Sequence, residues 1–265
     1  MVSITGTIRK FFHWGLLLCG LMLLASPGNA QKSPEWLFHP PRDAHHLYGV
    51  GISPKYVEDS LTVIVAKQNA IASLVKQHTV TVEAKFAESG DAMGILSKGH
   101  VKEMVDSADV WQCRDAAEIV DSVRTKDYLF LLMRIGKDLS RPDGALALSS
   151  KLVKTSPKEA PDWIGDLPQR EHTVYGLGIS NAYTNVGDAW KTSAREARRE
   201  IAMTLSAESS TLSREVITGR RTYHQELSED ITKVTLRYSV IEKRWFDPEK
   251  NLYYTLVFYN IPKPD

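Results

Sequence analysis

The sequence predicts an α+β protein built from two tandem repeats, each a β-α-β-β-β module with one helix packed on a small antiparallel sheet. Three observations carry this. First, the chain matches itself at a shift of 127. Pro34-Glu-Trp36 falls on Pro161-Asp-Trp163, Pro41 on Pro168 and His45 on His172. Tyr48-Gly49-Val50-Gly51-Ile52-Ser53 falls on Tyr175-Gly176-Leu177-Gly178-Ile179-Ser180. With Tyr56 on Tyr183 and Ala70 on Ala197 this makes 11 identities in the 44 gap-free positions from Pro34 to Gln77, where average residue usage would supply roughly three. Second, each copy passes from a glycine-bearing apolar run into a helical pattern. Third, each copy closes on β-rich runs joined by short polar turns.

The elements follow in order. Residues 1–30 read as a secretory signal: Arg9 and Lys10, then an apolar run from Phe11 to Ala25, then small residues at Gly28 and Ala30. That run is shorter than the roughly 20 residues a bilayer span needs, so cleavage after Ala30 is expected. Repeat one occupies residues 31–139, a linker 140–160, and repeat two 161–265. The linker carries Pro142, Gly144 and Pro157 as punctuation, and Ala145–Val153 has the makings of a short helix. Each repeat opens on an extended entry through its Pro and Trp. A short strand follows, Leu47–Ile52 or Val174–Ile179, whose glycines admit close approach of another backbone. Ser53 and Ser180 sit where they would cap the turn into the helix.

In the second copy Trp190, Ala194, Ala197, Ile201 and Leu205 form a single apolar stripe at helical spacing, with Lys191, Arg195, Arg198 and Arg199 off it. The first helix, Leu61–Lys76, is apolar more evenly around (Val63, Ile64, Val65, Ile71, Leu74, Val75). Thr79–Phe86 alternates as a half-buried strand does, and Ser206–Ile217 is its weaker counterpart. Polar helical or irregular stretches are expected near Lys98–Asp109 and Tyr223–Ile231. Closing hairpins run Val110–Arg124 into Tyr128–Ile135, and Lys233–Phe246 into Leu252–Ile261.

Composition bounds the function. With 33 basic and 32 acidic residues the chain lacks the cationic excess of a nucleic-acid binder. One cysteine, Cys113, lies outside the signal, so no intramolecular disulfide is available after cleavage; a lone Cys reads as a small apolar core residue. Cys19 would be the acylation point of a lipoprotein, but Leu16, Leu17 and Leu18 precede it where a small residue is required, which leaves an outer-membrane lipoprotein as the alternative to a cleaved, periplasmic chain. No HExxH, CxxC or nucleophile-elbow pattern occurs, and Gly49-x-Gly51 and Gly176-x-Gly178 lack the third glycine of a dinucleotide fingerprint. No cofactor or metal is implied. His45 and His172 occupy equivalent places and would approach each other if the halves packed symmetrically. The arginine-rich face (Arg195, Arg198, Arg199, Arg214, Arg220, Arg221) is interleaved with glutamates, as on a solvated helix face. Trp245, Phe246, Tyr253, Tyr254, Phe258 and Tyr259 cluster on the last hairpin as core or contact residues.

Pro-x-Trp, Tyr-Gly-Val/Leu-Gly-Ile-Ser and the helix segment Ala197-Arg-Arg-Glu-Ile-Ala202 together resemble the FlgP-like family of bacterial flagellar lipoproteins and related small outer-membrane lipoprotein antigens; the flagellar protein FlgT has a comparable N-terminal module. The resemblance covers about 100 residues of each copy. It implies a non-enzymatic module of the periplasm or outer membrane serving envelope or flagellar assembly. The repeat-motif residues Pro34, Trp36, Tyr48, Gly49, Gly51, Ser53, Pro161, Trp163, Tyr175, Gly176, Gly178 and Ser180 are then structural. The sequence reading is thus a binding or scaffolding protein with envelope-protein partners, and self-association stays open. The alternatives are a module for lipid or glycan, and an envelope hydrolase.

Overall fold

The computed structural model describes residues 32–85, 100–143, 152–153, 159–215 and 231–263. Lys32–Asp265 forms one compact unit. It is an α+β structure of helices on small antiparallel sheets.

The chain enters as β1 (Ser33–Pro34), paired with β7 (Leu152–Val153), and turns at once into α1 (Glu35–Phe38). Pro34 precedes the helix at φ −66°, the value its ring imposes and a helix start tolerates. α1 buries Trp36, Leu37 and Phe38. Next come β2 (His46–Pro54), α2 (Asp59–His78), β3 (Thr79–Lys85), β4 (His100–Met104), α3 (Ser107–Ala116), β5 (Glu118–Arg124) and β6 (Tyr128–Gly136). After a 3₁₀ turn at Asp162–Ile164 the chain continues as β8 (Thr173–Asn181), α4 (Val186–Glu215), β9 (Ile231–Arg237), β10 (Val240–Asp247) and β11 (Leu252–Asn260).

Three sheets of three strands organise these elements. One has the order β2-β6-β5, another β8-β11-β10. Each is entirely antiparallel, and each has a bulge at the same step: Ile119 and Asp121 face Met133 and Leu132, while Ile241 and Lys243 face Val257 and Leu256. A bulge bends its strand, so the two sheets curl at corresponding places. The third sheet, β4-β3-β9, is shared: β3 pairs with β9 from Thr79↔Arg237 to Lys85↔Ile231. Backbone hydrogen bonds from opposite ends of the sequence therefore hold the body together.

Glycines set how closely the helices lie on their sheets. A Cβ on Gly51 would fall 1.9 Å from the Ala66 carbonyl oxygen, and one on Gly178 would fall 1.7 Å from that of Ser193. Gly49 and Gly176 make the matching approaches to Ala70 and Ala197. α2 buries Ala66, Ala70 and Leu74, at helical spacing, over β2; α4 buries Ala194, Ala197 and Ile201. The β-branched residues of α2 do not prevent the helix, because most helical stability comes from packing such a face.

Several elements differ from the sequence reading. The Pro-Trp entries are short helical turns, since Trp36 and Trp163 must fold back to be buried. Val110–Ala116, read as strand, belongs to α3, which Asp106 caps by accepting the Ala108 N–H at 2.8 Å; the strand starts at Glu118. Ser206–Glu215, read as a weak strand, continues α4. Lys233–Phe246 is two strands, broken at Tyr238 (φ 60°), where the chain leaves the shared sheet for β10. Ser53 and Ser180 do not cap helices. Their hydroxyls donate to the next carbonyl, at Pro54 (2.9 Å) and Asn181 (3.0 Å), while Asn185 accepts the Gly187 N–H in the first turn of α4. Leu152 and Val153, the end of the expected linker helix, are strand. The expected irregular stretch near Tyr223–Ile231 lies outside the described residues up to 230.

Candidate functional site

The repeat-motif residues are placed by packing. Trp36 donates its indole N–H to Asp121 at 2.7 Å and joins the cluster of Leu37, Phe38, Phe130 and Trp190. Trp163 is buried with Tyr175, Trp245, Tyr254 and Leu256. Tyr48 donates to Asp43 at 2.6 Å; burial and then that carboxylate push its phenol up to about 12. Pro161 starts the 3₁₀ turn at Asp162–Ile164 as Pro34 starts α1. Four of the last-hairpin aromatics, Trp245, Tyr253, Tyr254 and Tyr259, are core residues.

A cavity of about 60 Å³ opens between α2 and α4. Its cations come from both halves: Lys76 of α2, Lys191 and Arg198 of α4, and Arg244 of β10. Glu103 of β4, buried beside it, accepts from Lys76 Nζ (2.6 Å) and Arg198 Nη1 (2.9 Å). Burial raises the Glu103 carboxyl, but the two cations outweigh it and hold the group below its usual value. Arg198 also donates to Ser239, whose hydroxyl donates to the Lys76 carbonyl. Arg198 was read as part of a solvated face. The structure instead buries its side chain, because β4 supplies the carboxylate that makes burial affordable.

Arg244 has no such partner among the described residues. Its Nη1 donates to the Leu37 carbonyl at 3.0 Å, its guanidinium stands 5.7 Å over the Trp190 ring, and its Nε finds no acceptor. Burial, then the charge of Arg198, brings its pKa down to about 9. Sequence reasoning singled out neither Glu103 nor Arg244. The available signal for Arg244 was a charge directly followed by Trp245 and Phe246 in a run predicted to be strand.

A second concavity, about 330 Å³, lies between α2 and α3 on the first half. Ile71, Val75, Val105, Val110 and Trp111 line it, with Lys76 and Arg114 as its cations. Trp111 is 56% exposed and carries the Arg114 guanidinium 4.1 Å from its ring centre. Leu61 and Ile64 continue this apolar row along α2 into solvent. The even apolarity of the first helix thus resolves into two faces, one on the sheet and one outward.

Other candidates stay structural. His45 is exposed, its N–H on Asp43 (2.8 Å); His172 is a positive-φ turn residue whose carbonyl accepts from Ile261. Cys113 is fully buried, and burial, then Asp109, pushes its thiol up to about 12. Among the described residues no His, Cys, Asp and Glu group has the arrangement of a metal site, and no helix is long and apolar enough to cross a membrane. Arg220 and Arg221 lie outside the described residues. No family model, curated protein or solved structure matches the chain.

Proposed function

We propose that the protein is a non-enzymatic, exported component of a bacterial cell envelope that binds a partner protein across the α2–α3 groove. The observation that carries this reading is the apolar side of α2, where the exposed Leu61 and Ile64 lead to the half-buried Ile71, which lines the groove with the exposed Trp111. A surface of this kind loses free energy when covered, and tryptophan is the residue type most often found at the centre of contact energy. The occupant is an amphipathic helix of an envelope protein, laying an apolar row in the groove and an acidic flank beside Arg114, whose partner within the chain is its exposed neighbour Asp115.

The signal-like residues 1–30 support a periplasmic location after cleavage near Ala30, with lipidation at Cys19 and outer-membrane attachment as the other route. The motif resemblance favours flagellar or outer-membrane partners. In the same reading, the two halves descend from one copied unit: the shared strand order, the equivalent bulges and the glycine contacts spaced 127 apart all favour it.

A photo-crosslinking residue at Gln68, on the exposed side of the groove, tests the proposal in living cells. The expected product is one discrete adduct to an envelope protein, mapping to a helix with an apolar row and acidic flank, and lost in Trp111→Ala. An unchanged adduct pattern in Trp111→Ala, or adducts no different from those formed at Lys250 on the far hairpin turn, would refute it.

A further inference from the structure

We infer that the cavity between α2 and α4 binds a small aliphatic carboxylate, whose carboxyl group is taken by Arg244. The inference does not depend on the groove reading; of the residues it uses, Lys76 alone also lines the groove.

Charge bookkeeping inside the cavity points to an anion. Lys76 and Arg198 share Glu103, and Lys191, half-exposed at the mouth, pairs with Asp188 at 3.1 Å. Arg244 is left as a buried guanidinium without a carboxylate among the described residues, and Arg198 beside it adds repulsion. An isolated buried charge is among the costliest arrangements in a protein interior, and a bound anion removes that cost. One carbonyl, Leu37, takes one of the five N–H groups. The Nε donor is unused but sealed from solvent, so a carboxylate in the cavity is met by the remaining Nη donors of the guanidinium.

The walls define the rest of the ligand. Val50, Ile52, Trp190, Ala194 and Ile241 supply apolar wall beside the polar Asn69 and Ser73, and no residue of the lining is a carboxylate, so the anion should carry a short hydrocarbon body. A free volume of about 60 Å³ limits that body to about two to four carbons. Trp190 also fixes the guanidinium plane from one side. The cavity is built across both halves: α2 and β2 from the first, α4 and β10 from the second. Binding therefore ties them together.

The test uses the full chain as purified, with sodium propionate as probe against sodium chloride at equal ionic strength. Calorimetric titration should show saturable one-site binding, and at hundredfold excess over Kd the melting temperature should rise by roughly 5–10 °C. Arg244→Met, which keeps side-chain bulk, should abolish both responses. Lys191→Gln, at the exposed mouth and without risk to folding, should weaken binding about three- to tenfold. Three outcomes would overturn the inference: no response to propionate beyond chloride, equal responses in wild type and Arg244→Met, or stabilisation by inorganic phosphate but not by propionate. If Arg244→Met fails to fold, unaltered affinity in Lys191→Gln is the result that counts against the site.

Discussion

Replacing Gly178 by alanine is the sharpest perturbation of the helix-on-sheet packing. The new Cβ would lie 1.7 Å from the Ser193 carbonyl oxygen and 2.4 Å from the Ala197 nitrogen. Both are backbone atoms of α4, so no side-chain rotation can relieve the clash. The oxygen contact is roughly 1.5 Å short of ordinary van der Waals separation. α4 must lift by a comparable amount, which strains the core by about 1–3 kcal/mol. The lift also parts the buried Ser193–Thr255 hydroxyl pair, 2.6 Å apart, at about 1 kcal/mol. A total near 2–4 kcal/mol should lower the melting temperature by roughly 4–16 °C, read by circular dichroism. Gly165→Ala is the control. It has helical dihedrals, and the nearest atom to its new Cβ is 3.9 Å away, so it should be neutral or stabilising by about 0.4–1 kcal/mol. If Gly178→Ala melts with the control, the close approach argued for these glycines is wrong.

Trp163→Ala should cost about 3–5 kcal/mol, as truncation of a large aromatic in a packed cluster does, measured by urea denaturation; unchanged melting would contradict its burial against Trp245 and Tyr254. Glu103→Gln should cost about 3–5 kcal/mol at pH 7, because it strands the buried Arg198 and takes the partner from the half-exposed Lys76. The sign with pH follows from the lowered folded value: the stabilisation is full above the ordinary 4.5 and is lost as pH falls through the folded value beneath it. The gap between wild type and Glu103→Gln should therefore close in acid, and a gap that widens there would refute the assignment. Cys113 should resist a thiol reagent in the native protein and react at once in denaturant, given its burial and raised pKa.

The glycine-strand and helix of each half were legible because their determinants are local. Alternation, the stripe from Trp190 to Leu205 and the Tyr-Gly-x-Gly runs lie within one element each. α3 was missed although Asp106 is a good cap, because the half-buried Val110 and the exposed Trp111 were taken for strand residues. They are apolar for the groove rather than for a sheet. The length of α4 was missed because serines and threonines after Leu205 have weak helix propensity. The pairing of β3 with β9 joins residues about 150 apart in sequence, and nothing local to either strand encodes it. The same non-locality hid the cavity. Glu103, Arg198 and Arg244 belong to three elements, and only the shared sheet brings them together. The groove was half visible, in the even apolarity of the first helix.

Cysteine accessibility at the groove in living cells tests the account most directly. Ile64→Cys, on the exposed row of α2, and Lys250→Cys, on the hairpin turn, are each compared with the parent chain, using a thiol reagent that enters the periplasm but not the cytoplasm. The account predicts that both label in purified protein, and that in cells Lys250→Cys labels freely while Ile64→Cys is protected. Equal labelling of the two in cells would mean that the α2–α3 face is uncovered there, and would contradict the claim that the protein works by binding a partner across it.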